Sequence, residues 1–522
     1  MINRRFPSLM CKVVSSSKIF LFLFFLFFAG DLSATEVFTT HFNRNDFLII
    51  LIPSAFILLI ISALNIAIKA LELTDEENSD PKNVNLNLNT KFKSKIDELK
   101  EVKSVLFYCS LIIFCFYISY CFVSGTPLES YTVEWINLIV RWAHVVFGIA
   151  WIGASFYFNF LENSLNRTKG LRDEISGNLW AVHGGGVYYL EKYKAVPSEV
   201  PKDLHWFKYE AYFTWLSGFT LLVVVYYLDA KAYLIDTSVL DLSPTAAVLI
   251  GIGSLLISWL IYDSLCKSVI SQKKLLFGLI LFLFITGASW LLTQVFSSRA
   301  AYIHVGAIIG TIMVGNVFRV IIPSQKAMVN AAKEGKIVDT ALAKKALLRS
   351  LHNNYFTLPV IFIMISNHFP STYGNVLNWF ILMGLSLVSV LVKHYLNLIE
   401  KGEKAIWILP LAIVGMIGLA ILTSPQKKSV CKEGQASNIS QVKEIMVKRC
   451  IQCHSANPTD ENQKIAPNGI MFDDNKNIIK YAQRILVRAV ITKTMPQGNK
   501  TNMTQEERDL IQCWIENGAK GD

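Results

Sequence analysis

Ten apolar stretches, each long enough to cross the roughly 30 Å hydrocarbon core of a bilayer, constrain this chain more than any other feature. In lipid, only helices and closed barrels satisfy all their backbone hydrogen bonds, and runs of this length are typical of helices. The sequence therefore predicts an all-α fold, a polytopic transmembrane helix bundle of about ten spans. The stretches lie near residues 46–69, 105–124, 135–161, 210–228, 246–264, 275–292, 300–322, 354–370, 377–398 and 405–423.

The loops between these stretches alternate in basic residues. One set of five loops carries 26 Lys and Arg residues, and the other set carries three, Arg44, Lys231 and Arg299. Basic loops stay on the cytoplasmic side of a membrane, so the first set is expected inside and the C-terminal residues outside. The net charge of +11 then has a membrane explanation, and nucleic acid is excluded as a partner. The basic loops are residues 69–104, 162–209, 265–274, 323–353 and 393–404.

The first 34 residues resemble a secretory signal. Arg4 and Arg5 precede the apolar run 19–29, and the small residues Ser33 and Ala34 offer a cleavage site. The run is short for a membrane span, so a cleaved signal is favoured over an uncleaved anchor helix. We assign residues 1–34 to a signal peptide and residues 35–128 to an N-terminal extension with two transmembrane helices.

Residues 432–522 are polar, lack long apolar runs and suit a small helical domain. They contain Cys450-Ile-Gln-Cys453-His454, and a C-x-x-C-H arrangement can bond the two haem vinyl groups and ligate the iron on one side. A zinc or redox thiol pair is the alternative. The histidine, the lack of a second CxxC and the external location favour haem, so the tail is predicted to be a small class I-like cytochrome c domain carrying covalent haem c.

The sixth ligand of the haem iron should come from further along this domain. Met495, in a loop rich in Pro and Gly, is the first candidate. Met503 and Met471 are the alternatives, and each of the three methionines could instead only pack.

The end of the chain carries two further patterns. Thr504 and Glu507 have the spacing of a capping box that begins a closing helix, and Gly518 lies near the end of that helix. Cys431 and Cys513 lie on the oxidising side of the membrane, where a disulfide between them is one outcome.

Two predicted membrane helices share a pattern of histidine and glycine. His144 and His304 lie near the outer ends of their helices, and a pair of glycines follows each histidine. The small residues would let helices approach closely. The two histidines are therefore expected at similar depth, where they either ligate a second, non-covalent haem b or form hydrogen bonds between helices.

A second polar group lies at the cytoplasmic ends of the helices. It combines imidazoles, cations, amides and aromatic rings with three glycines at 184–186, which would let backbone amides approach a ligand. Such a mixture suits a planar, anionic heterocycle. The glycines could also be only a turn, and the lysines only the charge of a cytoplasmic loop. The group consists of His183, His205, Lys208, Glu210, Arg319, His352, Asn353, Asn354 and Tyr355.

Several stretches together resemble the membrane-bound, cytochrome-c-linked urate hydroxylases (urate oxidases) of bacteria. They are RWAHVVFGIAWIGASFYFNFLENSL, AVHGGGVYYLEKY, LHWFKYEAYFTWLSG, HNNYFTLPVIFIMISNHFP and the terminal CxxCH domain. The resemblance covers roughly residues 130–520 and implies an eight-helix membrane domain over residues 129–425. The N-terminal residues 1–125 depart from the family pattern.

The resemblance implies oxidation of urate to 5-hydroxyisourate, with electrons leaving through haem c to a terminal cytochrome oxidase or a soluble cytochrome c. The protein would then lie in the bacterial inner membrane, with its cytochrome domain on the periplasmic side. Residue type and placement suggest a histidine as base, a cation to hold the urate anion, and amides on the ring carbonyls. The catalytic candidates are His183, His205 and His352, and the binding candidates are Lys208, Arg319, Asn353 and Asn354.

An inner substrate site would lie roughly 30 Å of bilayer away from an outer haem. Either a second redox cofactor at His144 and His304 relays the electrons, or urate binds from the outer face. Two other functions also fit the sequence. One is a membrane subunit that passes electrons from quinol or a dehydrogenase to an oxidase, and the other is a transporter or sensor regulated by its haem domain.

Overall fold

The computed structural model describes residue 100 and residues 128–521, except residues 169, 198, 202, 425–430, 432–437, 461, 462 and 464. The predicted signal segment and the two predicted N-terminal spans lie outside the described residues. The chain divides into two compact units, Met1–Thr132 and Val133–Asp522, and nearly all the described residues belong to the second unit.

Helices dominate the described part of the chain, as predicted. Two of the helices continue directly into short π-helical turns, Val223–Tyr227 after the helix that ends at Leu222 and Val317–Ile321 after the helix that ends at Asn316. In chain order the elements of the membrane domain are α1 (Leu128–Ser164), β1 (Ile175–His183), β2 (Gly186–Tyr193), α2 (Tyr209–Leu222), α3 (Ala230–Tyr233), α4 (Pro244–Lys267), α5 (Lys274–Thr293), α6 (Ser298–Asn316), α7 (Ile322–Lys333), α8 (Thr340–Ser366), α9 (Pro370–Tyr373), α10 (Asn378–Glu400) and α11 (Ile408–Leu422).

Five of the described helices are long and apolar enough to cross a membrane, in agreement with a membrane protein. The other three stretches predicted between residues 129 and 425 also fall on helices, namely α2, α8 and α11. These three are shorter or begin with a polar half, so the number of eight crossings stays a prediction. The five candidate spans are Tyr131–Ser164, Pro244–Lys267, Lys274–Thr293, Ser298–Lys333 and Asn378–Glu400.

Helix α6 lies at the centre of the membrane domain, where its glycines allow close packing. Gly306 packs against the side chain of Ile363 on α8, and Gly315 packs against the ring of Trp259 on α4. A Cβ at either position would come within 2.6 Å of its neighbour. The sequence places small residues here because a larger side chain would push the neighbouring helix away.

The glycines at 184–186 form a hairpin turn, one of the two readings that the sequence left open. Strands β1 and β2 pair antiparallel, with Val182 opposite Val187 and His183 opposite Gly186. Gly184 and Gly185 both have positive φ, at 58° and 80°, which glycine adopts without strain in a two-residue turn. Their role is therefore to turn the chain.

The C-terminal residues form a separate helical cluster with its own core. Its helices are α12 (Ile439–Arg449), α13 (Asn475–Lys480), α14 (Ala482–Ile485) and α15 (Gln505–Glu516). Met446 and Trp514 are among the residues buried in this core. The predicted capping box at Thr504 and Glu507 is confirmed at the start of α15. A disulfide joins Cys431 to Cys513, so that prediction is confirmed as well.

We expect Gly315→Val to destabilise the membrane domain by about 1–3 kcal/mol, because the new methyl groups would overlap the Trp259 ring. Gly310→Val on the same helix is the matched control, since a Cβ there meets no atom of the described residues within 4 Å. Thermal unfolding of the detergent-solubilised protein measures both variants. Equal midpoints for the two variants would contradict this packing.

Candidate functional site

Three of the predicted cytoplasmic site residues lie apart on the surface of the described structure. His183 is exposed beside the hairpin turn. His205 is exposed and packs edge-on against the Phe207 ring, with 4.6 Å between ring centroids. Arg319 is exposed on the π-helical turn after α6. The described structure does not bring these side chains together with His352.

The other predicted residues are buried or partly buried. His352 forms a 2.8 Å hydrogen bond through Nδ1 with the Tyr262 hydroxyl and stacks on the Phe277 ring at 4.7 Å. Lys208 is buried at the start of α2, with its ammonium nitrogen 4.6 Å from the centroid of the Tyr209 ring. The structure therefore keeps His352 and Lys208 as site candidates.

Asn353 belongs to a buried network that the sequence analysis missed. Its Nδ2 donates to the Met313 carbonyl at 3.0 Å, and its Oδ1 accepts from Asn316 Nδ2 at 2.8 Å. Asn316 Nδ2 also donates to the Tyr262 hydroxyl at 2.9 Å. Both ends of the Asn353 amide are thus occupied within the protein, which suits positioning α8 against α6 more than holding a ligand.

Arg349 closes this network at the end of the helices that the sequence predicts to be cytoplasmic. Its guanidinium is 1% exposed, donates to Asn316 Oδ1 at 3.1 Å and pairs with Asp263 Oδ1 at 2.6 Å. Asp263 also pairs with the exposed Lys267 at 2.6 Å. The sequence places Arg349 in the basic loop 323–353, although a basic residue followed within one turn by His and two Asn residues is a signal of an interior polar cluster.

Asn354, Lys393 and Glu210 are among the residues with a buried polar atom that has no partner among the described residues. These atoms are Asn354 Oδ1, Lys393 Nζ and Glu210 Oε2, on α8, α10 and α2. The Nδ2 of Asn354 donates to Asn397 Oδ1 at 3.0 Å. This bond fixes the orientation of the amide and leaves its oxygen without a donor among the described residues. Unsatisfied buried polar groups are rare in folded proteins, and a bound molecule or water is one partner that satisfies them.

The two histidines predicted near the outer side, His144 and His304, form hydrogen bonds between helices. His144 Nδ1 lies 3.0 Å from the Thr214 carbonyl oxygen on α2. His304 is fully buried, its Nδ1 lies 2.8 Å from the Ala300 carbonyl oxygen, and its Nε2 lies 3.1 Å from the Tyr227 hydroxyl. Because both ring nitrogens of His304 are engaged, this arrangement does not fit a haem ligand at His304, and we derive no electron transfer through a second haem.

The CxxCH residues do fit covalent haem. Cys450 and Cys453 are free thiols at the end of α12, separated by one helical turn. His454 Nδ1 lies 3.0 Å from the Ile470 carbonyl oxygen, a bond that orients the ring and leaves Nε2 in the tautomer that ligates a metal. Burial raises the pKa of Cys450 to about 12, and burial with the nearby Asp460 raises that of Cys453 to about 11.

The methionines of this domain differ in their surroundings. Met503 is buried in the core, so packing explains it. Met495 is only partly buried, and its backbone is held by the Arg488 carbonyl, which accepts its N–H at 3.0 Å, and by Arg508, which donates to its carbonyl at 2.9 Å. The Met495 side chain therefore fits the predicted role of sixth ligand better than that of Met503.

The C-terminal domain contacts one end of the membrane domain directly. Gln463 Nε2 donates to the Tyr233 hydroxyl at 3.2 Å, and Arg488 donates to the Tyr373 hydroxyl at 3.1 Å. Gly374 lies so close to Thr492 that a Cβ there would come within 2.5 Å of the threonine Cβ. The sequence predicts a C-terminal domain on the outer side but not its docking surface on the membrane domain, because these contacts join residues far apart in the chain.

We expect Arg349→Met to destabilise the membrane domain by about 1–3 kcal/mol, because it leaves the buried Asn316 Oδ1 without a donor and removes the buried partner of the partly exposed Asp263. Lys267→Met removes the other, 64% exposed partner of Asp263 and should cost less than about 1 kcal/mol. Denaturant unfolding in detergent measures the difference. If Lys267→Met lowered the free energy of unfolding as much as Arg349→Met does, this ranking would be contradicted.

The comparisons with known proteins agree with the membrane domain described above. A family model described as urate oxidase N-terminal matches residues 130–424, which is more than half of the chain. No curated protein matches the chain, and no solved structure matches it. The chain belongs to the urate oxidase N-terminal family.

Proposed function

We propose that this protein is a membrane-bound oxidoreductase that hydroxylates urate to 5-hydroxyisourate and passes the electrons through haem c in its C-terminal domain. The family match supports urate-related oxidation, and the apolar helices support a membrane location. The basic loops favour the bacterial inner membrane with the haem domain on the periplasmic side. A terminal cytochrome oxidase or a soluble cytochrome c would take the electrons.

The direct contact between the CxxCH domain and the membrane domain carries this proposal. A redox domain that served an unrelated partner would not need hydrogen bonds from Gln463 and Arg488 to the membrane domain. The ring centroid of Tyr233 lies 6.3 Å from that of Tyr226, and the ring centroid of Tyr226 lies 6.5 Å from that of His304. The docked end is therefore continuous with the aromatic interior of the helices.

The reaction balances with water as the source of the hydroxyl oxygen. Urate and one water give 5-hydroxyisourate, two protons and two electrons. Cys450, Cys453, His454 and Met495 would hold the haem, which would supply a one-electron acceptor when bound, so the two electrons would leave one after the other to the outgoing cytochrome or oxidase. The residues of the membrane domain would bind urate, exclude bulk water and accept protons.

Urate alone should reduce the haem of the purified full-length protein under anaerobic conditions, because the proposed reaction delivers electrons to that group. The measurement is the sharpening of the c-type absorption bands after urate is added. A Cys450→Ser, Cys453→Ser double variant, which cannot attach the haem, is the control. Reduction by quinol but not by urate would contradict the proposal and favour an electron-transfer subunit.

Loosening the docked domain should slow this reduction. Gly374→Leu would push the segment around Thr492 away, since even a Cβ at residue 374 overlaps it. We expect urate-driven haem reduction to slow at least tenfold while dithionite still reduces the haem fully. Gly418→Leu is the control, because a Cβ there meets none of the described residues within 4 Å. Unchanged rates in Gly374→Leu would show that the contact does not serve electron transfer.

A further inference from the structure

Five helices of the membrane domain are joined in a closed ring by side-chain hydrogen bonds. Helix α1 contacts α10 through Asn163, which donates to Glu400 Oε2 at 2.8 Å. Helix α10 contacts α8 through the bond between the Asn397 and Asn354 amides. The remaining contacts join α8 to α6 at Asn353 and the Met313 carbonyl, α6 to α2 at Thr311 and Trp215, and α2 to α1 at Thr214 and His144.

Lys393 is the most unusual residue of this ring. It lies on α10 with 1% of its surface exposed, and its ammonium group has no hydrogen-bond partner among the described residues. Its nitrogen sits 3.8 Å from the centroid of the Phe156 ring on α1. An aromatic face only partly replaces the lost hydration of a buried cation, so an anion at this position would be strongly favoured.

Two other helices of the ring add acceptors in the same unsatisfied state. Asn354 on α8 is 2% exposed, and its Oδ1 has no donor among the described residues. On α2, a buried carboxylate oxygen of Glu210, Oε2, also has none. One buried donor with positive charge and two buried acceptors thus lie on three helices of one ring.

Two glycines on helices of the ring face open space. A Cβ at Gly148 on α1 or at Gly310 on α6 would meet no atom of the described residues within 4 Å. By contrast, a Cβ at Gly306 or Gly315 on α6 would overlap a neighbouring side chain. The packing of α6 is therefore tight toward Ile363 and Trp259 and open at Gly310.

We propose that Lys393, Asn354 and Glu210 bind the urate monoanion inside this five-helix ring. Urate is planar, is an anion at neutral pH, and presents ring N–H donors beside carbonyl oxygens. The Lys393 ammonium complements the anionic charge, while Asn354 Oδ1 and Glu210 Oε2 accept from ring N–H groups. The Phe156 ring supplies an apolar face. This assignment rests on the proposed function and identifies the substrate-binding residues for it.

The test measures urate binding to the full-length protein with its haem already reduced by dithionite, so that no turnover occurs. Equilibrium dialysis with radiolabelled urate gives the dissociation constant. Lys393→Met should weaken binding about 10- to 100-fold, because it removes a charged hydrogen bond and keeps the volume of the side chain. Lys393→Arg should recover part of the affinity. Lys401→Met, at an exposed lysine just beyond α10, is the matched control and should bind as the unaltered protein does.

Asn354→Leu gives a second, independent measurement, with an expected loss of affinity of about tenfold. Thermal unfolding of each variant shows that the helices still pack. If the unaltered protein binds urate and both Lys393→Met and Asn354→Leu bind it equally well, the site lies elsewhere and the proposed function stands. If the unaltered protein neither binds urate nor is reduced by it, the proposed function itself fails.

Discussion

The buried ion pair between Arg349 and Asp263 determines how the polar side chains of the membrane domain are arranged. A guanidinium removed from water needs a carboxylate and further acceptors, and Asp263 and Asn316 supply them. Asn316 then fixes Tyr262 and Asn353, and Tyr262 fixes His352. Each group has its partner inside the protein, so α4, α6 and α8 are held in one register. That rigidity distinguishes this network from the unsatisfied groups on α2, α8 and α10.

The helices and the local patterns of the chain could be predicted from sequence, because apolar run length and capping are local properties. The capping box at Thr504 and the thiols near His454 are examples. Which neighbouring helix each side chain contacts could not be predicted. Asn353 and Asn354 are adjacent in sequence, yet one contacts α6 and the other α10. Adjacent helical positions point about 100° apart, so only the packing of neighbours decides their roles.

Lys393 shows where the rule that basic residues lie in cytoplasmic loops does not apply. It is the first residue of the predicted basic loop 393–404, at the end of an apolar stretch, where a lysine side chain usually reaches water. In the structure α10 continues to Glu400, so Lys393 lies almost two turns inside the helix.

The predicted similarity of the surroundings of His144 and His304 is not found in the structure, because it too depends on the packing of neighbouring helices. Their flanking sequences look alike, but His144 contacts Thr214 on α2, whereas His304 contacts Tyr227 in the π-helical turn that follows α2, so the two histidines lie at different depths.

The docking of the C-terminal domain through Tyr233 and Tyr373 has a kinetic consequence. In the proposed function the first electron acceptor belongs to the same chain as the substrate site, so its effective concentration is set by the fold. Transfer from substrate to haem is then first order and independent of the amount of free cytochrome. Diffusion and ionic strength would act only on the outgoing step, where the rest of the domain surface meets its acceptor.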